Sequence, residues 1–412
     1  MSELQAGVAA VNITPPVGGY QAGFGQREPT TGIHDDLHAK ALVLKRNGVA
    51  TAIVTTDLLS FDTGLTDRIR KLIRKQTGIR HVLLTASHTH SGPFIGPWHG
   101  DFSRKDLAYI DVLCRKIAGA VFMAHRNVLP VSVRSGVSHA EIGVNRRLVA
   151  EDGEVRRGPT AQNPEGIVDP EVPILLLERL DGSPLAVLFT YACHALAAWD
   201  PPLISADYPG YAQRLIEREL GCTALFTQGA GANINPRGPH SAWSFGLAKT
   251  CGEELGNAVL AALGNTREYG ADPRLMVAAR KLRIPVREEA FSRHIPALLR
   301  RRKKENAEWI KQGKLPFEVH VIRIGDCVLV GLESEPVVEI GLEIKDRVYA
   351  HHSEIRQALV VGYAGNSSYY LTVPRMFEEG GYEHEETLLA REASGLVIDA
   401  VVRMVDGMWT TD

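Results

Sequence analysis

Short apolar runs alternate along the chain with stretches of helical periodicity. Runs rich in β-branched residues predict strands, whereas apolar positions three and four residues apart predict amphipathic helices. Strands are predicted at 39–48, 49–59, 80–87, 130–142, 170–180 and 184–195, and a hairpin at 319–336. Helices are predicted at 63–78, 105–126, 208–220 and 243–264. This order predicts an α/β protein with mixed β-sheets flanked by helices.

Two turn signals and one polar segment refine this outline. Asn47-Gly48 and Gly325-Asp326 each predict a tight turn between two strands. The stretch 286–315 is polar and helical in pattern, and its basic run at 300–304 is typical of a solvated helix face. Because no repeat or long linker divides the chain, we expect a single domain over 1–412 with a helical polar insertion near 286–315.

Composition excludes several classes of partner. The chain has 412 residues, of which 44% are hydrophobic and 23% charged, as in ordinary globular proteins. Its 46 basic and 48 acidic residues give no electrostatic basis for binding nucleic acid, and no apolar segment is long enough for a membrane helix. The five cysteines are scattered without a Cys-x-x-Cys pair, and the N-terminus lacks a signal-peptide pattern. We therefore expect a cytoplasmic protein.

The segment LLTASHTHSGP, at 83–93, offers the clearest chemistry. Alternate residues of a strand share a face, so His88 and His90 leave the strand together and both imidazoles can reach a metal ion or a scissile bond. His194 and Glu335 also follow apolar strands, and Glu333 is a rival for Glu335. Two histidines and a carboxylate form the usual ligand set of a hydrolytic zinc site. Sequence spacing does not establish that they converge.

Several segments together resemble the neutral/alkaline non-lysosomal ceramidases, which are zinc-dependent amidases. The resemblance spans about residues 6–390 and its motifs occur in the family's order. They are AAVNITPPVGGYQAGFG, LLTASHTHSGP, GVNRRL, YACHALAAWDPPLISADYPGYAQRLIE, TQGAGANINP, LESEPVVEIGLEI and YYLTVPRMFEEGGYE. Each motif alone is weak, but their ordered occurrence in one chain is specific. The resemblance implies a ceramidase-like catalytic domain.

The resemblance also implies a site. Zn²⁺ would be held by residues that match the family's ligands, namely His88, His194, Glu335 and Tyr370. The family usually has Pro-Gly-Glu where this chain has Glu333-Ser334-Glu335, and Tyr369 is the alternative to Tyr370. Arg146, or its neighbour Arg147, and Tyr382 match residues of the family's site and are expected to stabilise the developing oxyanion. His90 is expected to be a proton shuttle, because it is in range of zinc-bound water if His88 is a ligand. Asp207 is expected to orient a histidine or to cap the following helix.

The implied reaction is hydrolysis of a linear amide by metal-activated water. Members of the family are generally longer, carry a C-terminal immunoglobulin-like domain and are often secreted or membrane-associated. Because the N-terminus lacks a signal-peptide pattern, we expect a substrate smaller or more soluble than ceramide. The expected partner is a small N-acyl or lipid-like molecule, and a homo-oligomer is compatible with the sequence. The alternatives are hydrolysis of another amide or an ester, and a non-catalytic binding protein on the same scaffold.

Overall fold

The secondary structure places helices on both sides of two β-sheets. The computed structural model describes residues 3–23, 28–95, 106–150, 155, 161–199, 202–268, 273–289, 304–366 and 369–409. The strands are β1 (Gln5–Asn12), β2 (Gly32–Ile33), β3 (His38–Arg46), β4 (Val49–Thr56), β5 (His81–Ala86), β6 (Leu129–His139), β7 (Gly143–Asn145), β8 (Glu171–Arg179), β9 (Pro184–Tyr191), β10 (Leu203–Ile204), β11 (Thr223–Gln228), β12 (Ile234–Pro236), β13 (Arg267–Glu268), β14 (Leu275–Pro285), β15 (Lys314–Ile324), β16 (Cys327–Leu332), β17 (Glu335–Pro336), β18 (Gln357–Val361) and β19 (Tyr370–Leu371). The helices are α1 (Thr63–Thr77), α2 (Leu107–Arg126), α3 (Asp207–Leu220), α4 (Phe245–Leu263), α5 (Lys304–Lys311), α6 (Val338–His351), α7 (Met376–Glu379), α8 (Tyr382–Glu386) and α9 (Ala393–Trp409), with a 3-10 turn at His240–Ala242.

The larger sheet has the strand order β11-β9-β8-β6-β1-β3-β4-β5, and β13 adds to β6. Strands β4 and β5 are parallel, as are β9 and β11. Side chains alternate across this sheet because successive residues of a strand point to opposite faces. In β3, Ala41 and Val43 pack against α1 and α2, whereas Leu42 and Leu44 face the second sheet.

The second sheet has the order β14-β15-β16-β18, with β16 and β18 parallel. Ile322 and Leu329 pack against the larger sheet, whereas Val321 and Val330 pack toward α6 and α9. On the far side of the larger sheet, α3 and α4 cover β8, β9 and β11. The layers therefore run helix, sheet, sheet, helix, and the fold class predicted from the sequence is confirmed.

The turn at Asn47-Gly48 and the bounds of α1 agree with the sequence prediction. Asn47 and Gly48 have φ of 47° and 80°, as a tight hairpin turn between β3 and β4 requires. Helix α1 is capped at its start by Asp62 and ends at Gly78 with φ 75°. Strands β1, β11, β14 and β18 are additional to those that the pattern predicts. Of the predicted polar segment 286–315, residues 290–303 lie outside the described residues; α5 follows them and β15 begins at Lys314.

Strand ends from both sheets meet at one place. The end of β5 contacts the segment after β18, through the bridge between Thr85 and Ala364. Beside it, Glu335 in β17 pairs in parallel with Tyr370 in β19. Loops at strand ends are where fixed scaffolds usually carry functional groups. Among the described residues, no helix is long and apolar enough to cross a membrane.

Candidate metal centre and the residues around it

His88 lies just after β5 in a backbone conformation that fixes its ring. Its φ is 63°, and its backbone N–H donates to the Leu58 carbonyl over 2.9 Å. Its Nδ1 lies 2.9 Å from the Leu59 carbonyl oxygen. Because a carbonyl oxygen only accepts, Nδ1 carries the proton and Nε2 presents its lone pair. This is the tautomer that a metal-binding histidine needs.

His194 reaches the same place from the end of β9. Its Nδ1 donates to the Gly231 carbonyl over 2.8 Å, which again leaves Nε2 as an acceptor. Gly231 lies so close to the segment after β9 that a Cβ there would sit 2.6 Å from the Cys193 backbone nitrogen. The glycine-rich segment 227–236 is therefore a close backbone turn that orients His194.

Glu335 supplies the carboxylate at this cluster. It is fully buried, and neither of its oxygens has a hydrogen-bond partner in the part of the chain that the structure describes. Its Oε2 lies 3.4 Å from His88 Nε2 and 3.9 Å from His194 Nε2. The Glu333 carboxylate instead accepts a hydrogen bond from the Glu318 backbone N–H over 2.6 Å. Of the two candidate carboxylates, Glu335 is the one beside the histidines.

His90 completes the cluster from the more accessible side. Its Nε2 lies 3.3 Å from His88 Nε2, and its Nδ1 lies 3.2 Å from the Gly23 carbonyl oxygen. One ligand atom from each of His88, His90 and His194 falls within 4.8 Å of the others. His88 and His194 are buried, whereas His90 is half-buried. His90 is thus placed to hold a metal or to exchange protons beside one.

The pKa shifts of the clustered side chains favour their uncharged forms. Burial lowers the pKa of His88 to about 3 and lowers that of His194 well below its usual value, so both rings stay neutral. Burial raises the pKa of Glu335 to about 8, although the charge of Arg146 and the nearby Tyr370 hydroxyl oppose the shift. Two imidazole lone pairs and the Glu335 carboxyl group converge here, and among the described residues no hydrogen bond joins these three side chains. A divalent cation fits this donor set.

A buried carboxylate fixes the two arginines that follow β7. Glu383, on α8, lies 2.7 Å from Arg146 Nε through Oε1 and 2.7 Å from Arg147 through Oε2. Arg146 continues to Tyr370, whose phenol oxygen accepts from its guanidinium over 3.3 Å. The Arg147 guanidinium instead forms a second ion pair, with Glu379 at 2.9 Å. Of the two arginines, Arg146 is the one that approaches the cluster.

The two candidate tyrosine ligands, Tyr369 and Tyr370, also have different surroundings. Tyr370 lies beside Glu335 and is buried, whereas the Tyr369 hydroxyl donates to the Pro316 carbonyl over 3.4 Å, in the core of the second sheet. The Arg146 guanidinium lies 5.2 Å from the centre of the Tyr382 ring. Burial raises the pKa of Tyr382 to about 12, so its phenol keeps its proton. Tyr370 and Tyr382 therefore flank Arg146.

Sequence reasoning missed two residues at the site. Glu383 is the last residue of the motif YYLTVPRMFEEGGYE, but its role was not predicted, and Tyr363 lies after β18 in a segment with no motif of its own. The Tyr363 ring packs 4.2 Å from the His88 ring, centre to centre. Burial raises the pKa of Tyr363, and the charge of Glu335 raises it further. Only the folded chain reveals that these side chains adjoin the ligands.

The expectation that Asp207 orients a histidine is wrong for His88 and His194, whose Nδ1 atoms donate to backbone carbonyls. The Asp207 carboxylate accepts from the Ala198 N–H over 2.8 Å and from the Tyr208 N–H over 2.6 Å. It joins the loop after His194 to the start of α3, so its contribution to the histidines is indirect.

Known proteins share both the sequence pattern and the fold. Residues 4–234 match the family model described as "Neutral/alkaline non-lysosomal ceramidase, N-terminal". Neutral ceramidase of Mycobacterium tuberculosis is 23% identical over an alignment that covers 94% of this chain and 74% of that protein. Neutral ceramidase B of Dictyostelium discoideum is 26% identical over 231 residues, which are 50% of this chain and 32% of that protein. This match thus spans about a third of the Dictyostelium protein.

A crystal structure of neutral ceramidase from Pseudomonas aeruginosa has a similar fold. The TM-score is 0.81 at 20% sequence identity, over 98% of this chain and 74% of that chain. At this identity the likeness establishes the fold alone. The family model, in contrast, matches more than half of the chain and includes His88, His90 and His194. The chain therefore belongs to the neutral/alkaline non-lysosomal ceramidase family.

Proposed function

We propose that the chain is a zinc-dependent amidohydrolase that cleaves a linear N-acyl amide with activated water. The main observation behind this proposal is the convergence of His88 and His194, which present their Nε2 lone pairs, with Glu335, whose buried oxygens have no hydrogen-bond partner among the described residues. Buried polar atoms without partners are rare in folded proteins, so such a cluster indicates a ligand. The family relationship supports the same conclusion, because the relatives are named ceramidases.

In this proposal His88, His194 and Glu335 hold the metal, and Tyr370 completes the set. Imidazole nitrogens and a carboxylate are ordinary zinc ligands, and an open position is typical of catalytic sites. Tyr370 is supported by its strand pairing with Glu335. When bound, zinc would supply Lewis-acid chemistry at the acyl carbonyl and would lower the pKa of water to about 7.

Arg146 and Tyr382 are the proposed donors for the oxygen that gains negative charge. Arg146 is held in place by Glu383 and directs its guanidinium toward Tyr370, so its charge is fixed before substrate arrives. Tyr382 lies directly beside that guanidinium. Preorganised donors of this kind cost no reorganisation during the reaction, and removal of one costs about 10²–10³ in turnover.

His90 is proposed to move the proton. Amide hydrolysis takes one water, forms a C–O bond at the acyl carbon and breaks the C–N bond, and the departing nitrogen must gain a proton. His90 is half-buried and lies 3.3 Å from His88, so it reaches both the metal cluster and the solvent side. General acid–base catalysis by a placed histidine contributes about 10²–10⁴ in rate.

For the substrate, we propose an N-acyl compound smaller or more soluble than ceramide, with ceramide itself as the alternative. We further propose a cytoplasmic location, which is supported by the five free cysteines, four of them buried. The amine half and the acyl length would be defined by assay. A non-catalytic binding protein is the competing function, and the fixed Arg146 beside a ligand cluster favours hydrolysis over it.

The test combines metal analysis with turnover. Purified protein should contain about one zinc per chain, and N-acyl amides from short acyl amino acids to ceramide should be cleaved in a chelator-sensitive manner. Glu335→Gln should lose zinc on mild dialysis, whereas the matched control Glu333→Gln should keep it. Zinc without cleavage of any amide or ester would favour the binding protein, and no zinc uptake at all would overturn the proposal.

A further inference from the structure

The hydroxyl of Tyr363 is buried at the ligand cluster. The residue is fully shielded from solvent, and no donor or acceptor of the described residues lies at hydrogen-bonding distance from its oxygen. Its ring lies 4.2 Å from the His88 ring and 6.4 Å from the His194 ring, centre to centre. A buried hydroxyl that loses its water partners and gains none costs folding free energy.

The backbone of Tyr363 is strained as well. Its φ is 53°, in the left-handed region that disfavours bulky side chains. The conformation is held from both sides: the Tyr363 N–H donates to the Ser334 carbonyl over 2.8 Å, and its carbonyl accepts from the Ala86 N–H over 3.2 Å. These bonds tie Tyr363 to the segments that carry Glu335 and His88. The strain therefore places this ring at the cluster.

Packing accounts for the ring but not for the hydroxyl. A phenylalanine would cover His88 equally well and would leave no unpaired buried oxygen. The charges of Glu335 and Arg146 both act on the phenol, so it is close enough to the proposed carboxylate ligand and the proposed oxyanion donor to interact with each. An unpaired donor at that position indicates a partner that arrives with the ligand.

We propose that Tyr363 is a catalytic residue whose hydroxyl donates a hydrogen bond to the carbonyl oxygen of a bound N-acyl amide as that oxygen becomes negative. The inference rests on the proposed amidohydrolase function and adds a donor beyond Arg146 and Tyr382. No proton is transferred: the phenol keeps its proton, and the hydrogen bond strengthens as charge develops. Its partner in the free protein would be missing for this reason.

The test is Tyr363→Phe, which keeps the ring and removes the oxygen. Tyr191→Phe is the matched control, because Tyr191 is equally buried and its hydroxyl donates to the Ala140 carbonyl over 2.9 Å. Zinc content, the thermal midpoint of the metal-free protein and kcat on the best amide would be measured for each. Affinity for acetohydroxamate, a small carbonyl ligand for zinc, would be measured by calorimetry on the zinc-loaded proteins.

The two variants should behave in opposite ways. Tyr363→Phe should keep its zinc, raise the thermal midpoint, lower kcat by about 100-fold and weaken acetohydroxamate binding. Tyr191→Phe should lower the midpoint and leave kcat unchanged. Unchanged kcat and acetohydroxamate affinity in Tyr363→Phe would overturn the inference while the function stands. If wild-type protein cleaves no amide, the proposed function fails by itself, and the acetohydroxamate measurement decides whether Tyr363 is a donor.

Discussion

Replacement of Glu383 by Gln should strongly destabilise the protein, because one carboxylate neutralises two buried arginines. Its oxygens lie 2.7 Å from Arg146 and 2.7 Å from Arg147, and the three side chains are between 1% and 5% exposed. Burial raises the pKa of Glu383, yet the two guanidinium groups outweigh burial and hold the pKa below its usual value. The ionised form is therefore the one that the fold stabilises.

The substitution keeps the shape of the side chain and removes its charge. One carboxamide oxygen can still accept, but the amide N–H₂ then faces a guanidinium donor. Breaking a buried ion pair by removing one partner costs about 3–5 kcal/mol, because the remaining charge stays buried without compensation. We expect a loss in this range for Glu383→Gln. We also expect lower turnover, because Arg146 loses the group that orients it.

Urea unfolding of wild type and variant at pH 7 measures the loss in the free energy of unfolding, which follows from the shift in the urea midpoint when the slope against urea concentration is unchanged. Glu379→Gln is the control, because the Glu379 side chain is 24% exposed and pairs with Arg147 at 2.9 Å. Water screens such a pair, so we expect a cost of about 1 kcal/mol or less. A difference below about 1 kcal/mol between Glu383→Gln and wild type would refute the buried-charge reasoning.

Three further predictions concern the metal centre. His90→Ala should keep near-stoichiometric zinc and lose about 10²-fold or more in kcat, and metal loss would instead make His90 a ligand. Because burial raises the pKa of Glu335 to about 8, zinc must displace its proton at lower pH. The affinity for zinc, measured by calorimetry, should therefore fall about tenfold for each pH unit below pH 8. A zinc affinity that does not depend on pH would contradict this prediction. Gly231→Ala should weaken zinc binding at least tenfold, because the new Cβ would lie 2.6 Å from a backbone atom. Gly246→Ala is the control and should leave zinc affinity unchanged, because its Cβ would lie 3.5 Å from the nearest atom. Equal zinc affinity in the two variants would refute the prediction.

The sequence alone determined the local elements and the type of chemistry. Strands with alternating faces, such as β3, and the turn at Asn47-Gly48 depend on contacts within a few residues, so their pattern is visible in the chain. The His-x-His segment after β5 indicated a metal in the same local way. The ordered motifs added the family and its implied ligands.

Tertiary structure alone decided which of the neighbouring candidates meet. The sequence pattern does not decide between Glu333 and Glu335, Tyr369 and Tyr370, or Arg146 and Arg147, because the members of each pair lie within two residues of each other and are chemically alike. The strand break at Ser334, where the chain leaves β16 and pairs with β19, separates the two glutamates. The contributions of Glu383 and Tyr363 arise from contacts more than 200 residues apart along the chain. Local periodicity sets the elements, but convergence of distant side chains depends on how the two sheets pack together.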